Sequence, residues 1–513
     1  MKHIYYNGNI ITMKGVDTEQ AFVVENGHFT QVGSKEQCLK EREGAELTDL
    51  QGQTVLPAFI DAHSHLSSYA NSFLQAQLTE AASFDDILNV LKVFAEKTKV
   101  QAGGWITGSG YDHNNLMEKA HPTRQMLDEA FPGMAVVLQH KSGHFGVFST
   151  VALQSIGMTG KDQDGYLEEN EFVEAQKKVP MPEASQMLSA YRKALDSYAS
   201  YGITTVQEGM MVSQMLPLYQ MLLQNQLLTL DVVGYPQIAD ADIFYQTFLQ
   251  NAVQYQSHFR LGGYKIILDG SPQGRTAWMK TPYQGTTDYF GVSSMSDEAV
   301  EAALVKAVAD KRQLLAHCNG DAAAEQFLNA AQKVAAPEVL SQICPVIVHG
   351  QLLAKDQLER VKEYGMIPSF FVAHCYYWGD IHIENFGMER ASAISPTKSA
   401  LQKDILFTFH QDTPVLEPDM LQTVWCAVNR RTKNGITLGK EEQISVREAL
   451  KAVTIHAAYQ YGEESAKGSI EPGKNADFII LTEDPLHTAS DRLNQIKVQE
   501  TYRSGERIFA RGE

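Results

Sequence analysis

Residues 55–65 read VLPAFIDAHSH, an apolar run that ends in Asp61-Ala62-His63-Ser64-His65. A short apolar run of this kind suits a strand buried on both faces, as in a parallel sheet covered by helices. In extended chain, residues i and i+2 point the same way, so His63 and His65 can present two imidazoles to one point at the strand's C-terminal end. Neutral imidazole is a good ligand for zinc-like ions. Two ordinary histidines near a turn have the same spacing, so the pair alone does not decide between the two.

Outward from this strand the pattern repeats. Apolar, β-branched runs fall near 58–63, 203–207, 229–235, 264–268, 313–317, 345–349, 366–371 and 405–411. Helix-like segments such as DEAVEAALVKAVADK and AAAEQFLNAAQKVA separate most of them. Eight buried strands alternating with helices predict an α/β fold of the (β/α)8, TIM-like barrel type. An open doubly wound sheet has the same periodicity and is the alternative. The interval 67–200 is too long for one crossover. It holds the helical segments SFDDILNVLKVFAEKTK and PEASQMLSAYRKALDSYAS and a Gly/His-rich stretch, and is expected to be an insertion after strand 1 that covers the barrel mouth.

Both ends of the chain are β-rich. Asn7-Gly8 and Asn26-Gly27 punctuate the first 55 residues, and Ser504-Gly505 punctuates VQETYRSGERIFARG near the other end. Asn-Gly between β-rich runs is a strong hairpin signal. Residues 1–55 and 465–513 are expected to form one small composite β-sandwich, with 56–464 as the barrel domain.

Composition limits the partners. The chain has 513 residues, 44% hydrophobic and 20% charged, and its formal net charge is −18. That is the profile of a globular protein with a large core. So acidic a surface argues against nucleic acid or an anionic membrane as partner, and does not identify the substrate, because a pocket can carry a local charge opposite to the surface. The five cysteines are scattered with no CxxC pair, which suits a reducing cytoplasm rather than a disulfide framework. The opening MKHIYYNGNIITMKG lacks the apolar core of a signal peptide, and no run is long enough to span a bilayer.

The histidine pair has company. His317 ends RQLLAH, His349 ends CPVIVH and Asp412 ends DILFTFHQD. Each lies at the C-terminal end of an expected strand, the face on which barrel active sites form. Core histidines placed by chance would not favour that end. Lys265 lies inside YKIILDG, where an ammonium ion is costly to bury unless paired. It is either a salt-bridged lysine or a deprotonated one carboxylated by CO2 to bridge two cations. The turns GSGY and GSPQG match neither a phosphate loop nor a dinucleotide fingerprint, and no GxSxG nucleophile motif occurs.

Taken in order, DAHSHL, KIILDGSPQGRTA, HCNGDAA, VHGQLL, HQDTPV and GSIEPGKNADFIIL resemble the amidohydrolase superfamily. They are most similar to its YtcJ-like (amidohydrolase 3) branch, and within it to AepA-like members, over nearly the whole chain. The resemblance implies a two-metal centre: His63 and His65 with Asp412 on the more buried ion, His317 and His349 on the more exposed one, and carboxylated Lys265 between them. It implies metal-dependent hydrolysis of a C–N bond in a small amide, formamide or cyclic amide by a metal-bound hydroxide, with Asp412 as general acid/base. Zinc suits the mixed His and carboxylate donors, as do manganese, iron and cobalt. Two departures fall beside ligands: Cys318-Asn319 where many members carry Ala-Ile, and His410-Gln411 where many carry Gly-Ser.

Substrate contacts are expected from His144, His374, Asp112, Asp321 and Trp378, each of which could instead be a loop residue with a local hydrogen bond. Tyr376, Tyr377 and Trp378 suggest an apolar wall or lid packing. Asp269 and Arg275 are read more simply as an ion pair than as substrate contacts. Ester or lactone hydrolysis, deamination, and a non-catalytic regulatory protein on the same scaffold are the rival functions. A homodimer is compatible with the resemblance.

Overall fold

The computed structural model describes residues 2–15, 18–101, 103–141, 145–158, 164–180 and 182–512. It falls into two compact units, one of Met1–Leu66 with Leu195–Glu513 and the other of Ser67–Ala194.

The first unit is built on parallel strands. These are β1 (Phe59–Ile60), β2 (Ile203–Met211), β3 (Asp231–Pro236), β4 (Gly263–Ile267), β5 (Gln313–Cys318), β6 (Val346–His349), β7 (Ile367–Phe370) and β8 (Thr408–Phe409). All eight expected strands are present. Strand β2 pairs in parallel with β1 and β3, and β4 to β8 pair in parallel in sequence order. Two links join the groups. Phe259–Leu261 pairs with β3 and leads through Gly262 into β4, and Gln237 bridges Lys265. Strands such as VIVH are buried at every position, which is why they read as unbroken apolar runs rather than alternating ones.

Helices follow the strands with local signals of their own. In Asp297–Asp310, the Ser296 side chain caps the Ala299 N–H, Asp297 and Glu298 occupy the first turn, and Lys311 ends the helix in the left-handed region at φ 52°. Caps and acidic first turns of this kind offset the unpaired N–H groups and the helix dipole. Val300, Ala303, Leu304 and Ala307 are its buried residues, the spacing of one helical face. Burying a Val or Leu side chain contributes about 1.5–3 kcal/mol, so this face outweighs the cap. No helix among the described residues is long and apolar enough to cross a membrane.

The two ends of the chain meet in one sheet. Thr54–Pro57 pairs in parallel with Asn9–Ile11 and antiparallel with Phe478–Leu481, placing Val55 opposite Ile480. Val498–Arg503 and Glu506–Ala510 continue that sheet. A second sheet holds Lys2–Tyr6, Ala21–Glu25, His28–Gly33 and Glu46–Asp49. Residues of both sheets share a core that includes Tyr5, Phe22, Phe29, Val55, Phe478 and Tyr502. Within it the Phe478 and Tyr502 rings stack at 4.3 Å. The Asn26-Gly27 and Ser504-Gly505 turns have both residues at positive φ, the conformation that two-residue hairpins need.

The second unit contains more β structure than its sequence suggests. Its five-stranded sheet runs Tyr166–Glu168, Phe145–Phe148, Ala135–His140, Trp105–Tyr111 and Ala76–Gln77. Helix Phe84–Thr98 contributes Ile87 and Leu91 to a core with Leu78, Ile106, Val136 and Leu138.

Candidate metal centre

The C-terminal ends of the parallel strands carry polar side chains that converge. His63 and His65 follow β1, and the His65 N–H bonds the Thr413 carbonyl, fixing the segment after β1 to the segment after β8. Lys265 lies within β4 and is buried, while its neighbour Tyr264 faces outward to bond Asp310. His317 is the penultimate residue of β5 and His349 the last of β6. His349 and Asp412 both adopt left-handed backbone, at φ 73° and 53°. Such conformations cost non-glycine residues on the order of 1–3 kcal/mol and cluster at functional sites.

The polar atoms lie within a few ångströms of one another. Asp412 Oδ1 is 3.3 Å from His65 Nε2 and 3.6 Å from His63 Nε2, and Asp412 Oδ2 is 4.0 Å from His349 Nε2. His349 Nε2 is 3.0 Å from His317 Nδ1, and Lys265 Nζ is 3.4 Å from His63 Nε2. One ligand atom each from His63, His349 and Asp412 fit within 4.8 Å of one another. The six expected ligands are thus brought together.

Burial sets the protonation of the group. It lowers the pKa of His63 and His349 well below the usual histidine range and that of His317 to about 4, with Lys265 adding to the effect at His63 and His317, and His317 at His349. Burial would raise the Asp412 pKa, but His65, His349 and His63 outweigh it and hold the carboxyl well below the carboxylate range. Burial also pushes the Lys265 ammonium down to about 8 against the attraction of Asp412. The result is neutral imidazoles around an ionised carboxylate, the forms in which these groups bind cations. Among the described residues Lys265 has no carboxylate within ion-pair distance, and its nearest polar contact is His63.

Gln207 escaped the sequence reading, and His410 and Asp269 have supporting roles that it did not give them. Gln207, in β2, accepts a hydrogen bond from His63 Nδ1 at 2.6 Å and donates to the Ala62 carbonyl and the Tyr461 hydroxyl. Its signal was a glutamine directly after the β-branched run ITTV. His410, fully buried, contacts His349 Nδ1 at 3.0 Å. Asp269 does not pair with Arg275. Its oxygens accept the backbone N–H groups of Trp278, Asn319 and Gly320, anchoring the turn after β5, while burial raises its pKa to about 7. Arg275 instead donates to the Gln284 carbonyl and lies over the Tyr283 ring.

The expected substrate contacts divide. His374, just after β7, packs at a tilt against Trp378 with ring centroids 4.5 Å apart and edge-on against Phe371 at 4.7 Å, and its Nδ1 lies 3.0 Å from His382 Nε2. Asp321 opens helix Asp321–Val334 and accepts the Lys280 N–H. Tyr376 packs against Trp425, and Tyr377 against Tyr376 and Trp378. Asp112 lies in the second unit, where Oδ2 pairs with Lys141 and Oδ1 accepts from Asn114 beside His113 and His140. His144 lies outside the described residues.

The donor set fits a cation. Ligands about 2.0–2.1 Å from a tetrahedral zinc-like ion stand about 3.3 Å apart, and the separations of 3.0–4.0 Å bracket that value. Asp412 Oδ1 is buried without a hydrogen-bond partner among the described residues, an unsatisfied charge that a cation would satisfy. Imidazole and carboxylate donors gathered at the C-terminal ends of parallel strands make this a candidate metal centre. The chain belongs to the amidohydrolase family, whose model matches residues 46–509. It is similar to YtcJ of Bacillus subtilis (strain 168), 27% identical over 542 residues and 99% of each chain. It is similar to the N-substituted formamide deformylase of Arthrobacter pascens, 24% identical over 97% of this chain and 96% of that one. An uncharacterized metal-dependent hydrolase from Pyrococcus horikoshii OT3 has the same fold, with a TM-score of 0.79 at 26% identity over 96% of this chain and 99% of that one.

Proposed function

We propose that this chain hydrolyses a non-peptide C–N bond of a small amide, formamide or cyclic amide at the centre formed by His63, His65, Lys265, His317, His349 and Asp412. The observation that carries the reading is Asp412: an ionised carboxylate with one buried, unbonded oxygen, set beside neutral imidazoles. His63, His65 and Asp412 would hold one divalent cation, zinc by donor type, and His317 and His349 a second. Lys265, as a carbamate, would join them. Its amine adds to CO2, forming an N–C bond and releasing one N–H proton. A lysine held near neutrality by burial is suited to that step.

A divalent cation held by these residues would supply hydroxide at neutral pH, by lowering the pKa of water from about 16 to near 7, and would polarise a carbonyl. Asp412 accepts the proton of the attacking water and passes it to the leaving nitrogen. Gln207 holds His63 by its Nδ1–H, so that Nε2 keeps its lone pair toward the centre. His374 and Trp378 would line the substrate side. The formamide relative supports the choice of a C–N bond.

The eight parallel strands would close into a barrel. Ile60 and Ala62 share one buried cluster with Val233, Leu315, Val348 and Ile367, and Gln460 links the Ala62 carbonyl to the Thr408 hydroxyl. The shared core of the terminal sheets supports a composite sandwich domain beside it. The five free cysteines suit a reducing, cytoplasmic setting.

The test is metal analysis of the purified protein, followed by a substrate panel of N-substituted formamides, cyclic amides, esters and lactones. Bound divalent metal with turnover of a formamide or amide is expected, and both should be lost in His63→Ala. Turnover of esters alone, or stoichiometric metal with no turnover, would overturn the C–N assignment.

A further inference from the structure

We propose that Ser369 and His410 form a relay that fixes the tautomer and ring orientation of His349, making His410 a positioning residue for the cation at that imidazole; this rests on the metal centre proposed above. His349 turns Nε2 toward His317 Nδ1 and Asp412 Oδ2. To offer a lone pair there, the neutral ring must carry its proton on Nδ1. That atom is 3.0 Å from His410 Nε2, and a contact between two ring nitrogens holds only one proton. His410 Nε2 is therefore the acceptor, and its own proton sits on Nδ1, 2.9 Å from Ser369 Oγ. The opposite arrangement protonates His349 on Nε2 and aims an N–H into the centre.

At His63 the outer contact is an oxygen acceptor, Gln207 Oε1, whereas His317 Nε2 lies 3.0 Å from Asn319 Nδ2 and 3.4 Å from the Gly270 carbonyl. An oxygen of that kind accepts only. His410 Nε2 can donate or accept, so the tautomer of His349 depends on what Ser369 does two contacts away. The relay is held in place by packing. Ser369 and His410 are both fully buried, and the His410 ring lies perpendicular to His63 at 5.3 Å and against Phe371 at 5.2 Å. His349 needs such an anchor because its backbone leaves the strand conformation at φ 73°.

The test is Zn2+ affinity by chelator competition, with the visible absorption spectrum of the Co2+-loaded protein as a second readout. His410→Phe keeps the ring and removes the nitrogens. His410→Gln restores an acceptor oxygen. Ser369→Ala touches no ligand. Loss of an outer partner weakens metal affinity about 10–100-fold, so that loss is expected in His410→Phe. Most of it should return in His410→Gln, and Ser369→Ala should show a smaller loss with an altered Co2+ spectrum. A folded His410→Phe with parental affinity and spectrum overturns the relay. Should His410→Phe fail to fold, unchanged affinity and spectrum in Ser369→Ala overturns it equally. A parent protein that binds no divalent cation overturns the metal centre and the relay together.

Discussion

Gly209 makes room for His63: a Cβ at residue 209 would lie 2.6 Å from His63 Cε1 and 2.9 Å from its Nδ1. Gln207 holds the imidazole at that same Nδ1, so the ring cannot move away without losing its hydrogen bond. Gly209→Ala is therefore expected to displace His63, weakening metal affinity and costing about 1–3 kcal/mol of stability by overpacking. Chelator competition and a urea melt check this; an unchanged metal affinity would falsify it.

Asp412 carries the proton in the proposed reaction. Asp412→Asn keeps the shape but not the charge, and a general acid/base contributes about 10²–10⁴-fold. The expected result is a fall in kcat of at least that order, with metal content reduced as well. Steady-state rates on whichever amide the parent turns over provide the measurement, and a parental kcat would remove Asp412 from the mechanism.

Lys265 distinguishes a carbamate from a plain buried amine. Protein incubated with ¹³C-bicarbonate is expected to show a carbamate carbon signal that is absent in Lys265→Met. Burial brings the Lys265 pKa down to about 8, so the neutral amine that reacts with CO2 becomes scarce as pH falls below that value. In metal-free protein the signal should accordingly be weaker at pH 6 than at pH 8.5. Equal signals from parent and variant would mean that other amines react.

At the other end of the strands, Asp231 pairs with Lys467 at 2.5 Å, and Lys467 also pairs with Glu463 at 2.9 Å. Burial works against the Asp231 charge, but Lys467 and His258 hold its pKa well below the usual range. A carboxyl whose folded pKa is depressed contributes stability that is present above its unfolded pKa, about 3.9, and is lost as pH falls through the folded value. Asp231→Asn leaves Lys467 with one partner fewer. Breaking a buried pair costs about 3–5 kcal/mol, so urea unfolding at pH 7 should show a loss of that order. The gap to the parent should narrow below pH 4. A gap that stays constant with pH contradicts the assignment.

What could be read from the sequence follows from burial. VIVH and the Leu314–Ala316 part of RQLLAH were legible as strands because both are short runs of buried apolar residues. The candidate ligands were legible because His63, His65, His317, His349 and Asp412 are polar residues at or just past the end of such a run and Lys265 is a lysine inside one. Trp105–Tyr111 was not legible. Gly108 and Gly110 interrupt its pattern, and the reason for Gly108 is tertiary: a Cβ there would meet Leu78, Leu91 and Leu138 at 2.8–3.0 Å. Asp269 was read as an ion-pair partner because a neighbouring arginine is visible in sequence, whereas the three backbone N–H groups it accepts are not. His410 was noticed only as an oddity beside Asp412. Its contact with His349 spans two strands and has no local signature.

The strand that leads into His63 is preceded by Thr54–Pro57, whose antiparallel partner, Phe478–Leu481, is made only after Asp412. On the ribosome the first pair of histidines therefore emerges on a segment with an unmatched edge, and exposed edges invite wrong pairing until their partner arrives. A nascent chain that stalls between residues 412 and 478 holds all six candidate ligands yet lacks the strand that pairs with the segment leading into the first two. Truncation in that interval would then yield a protein that has every donor but assembles them poorly.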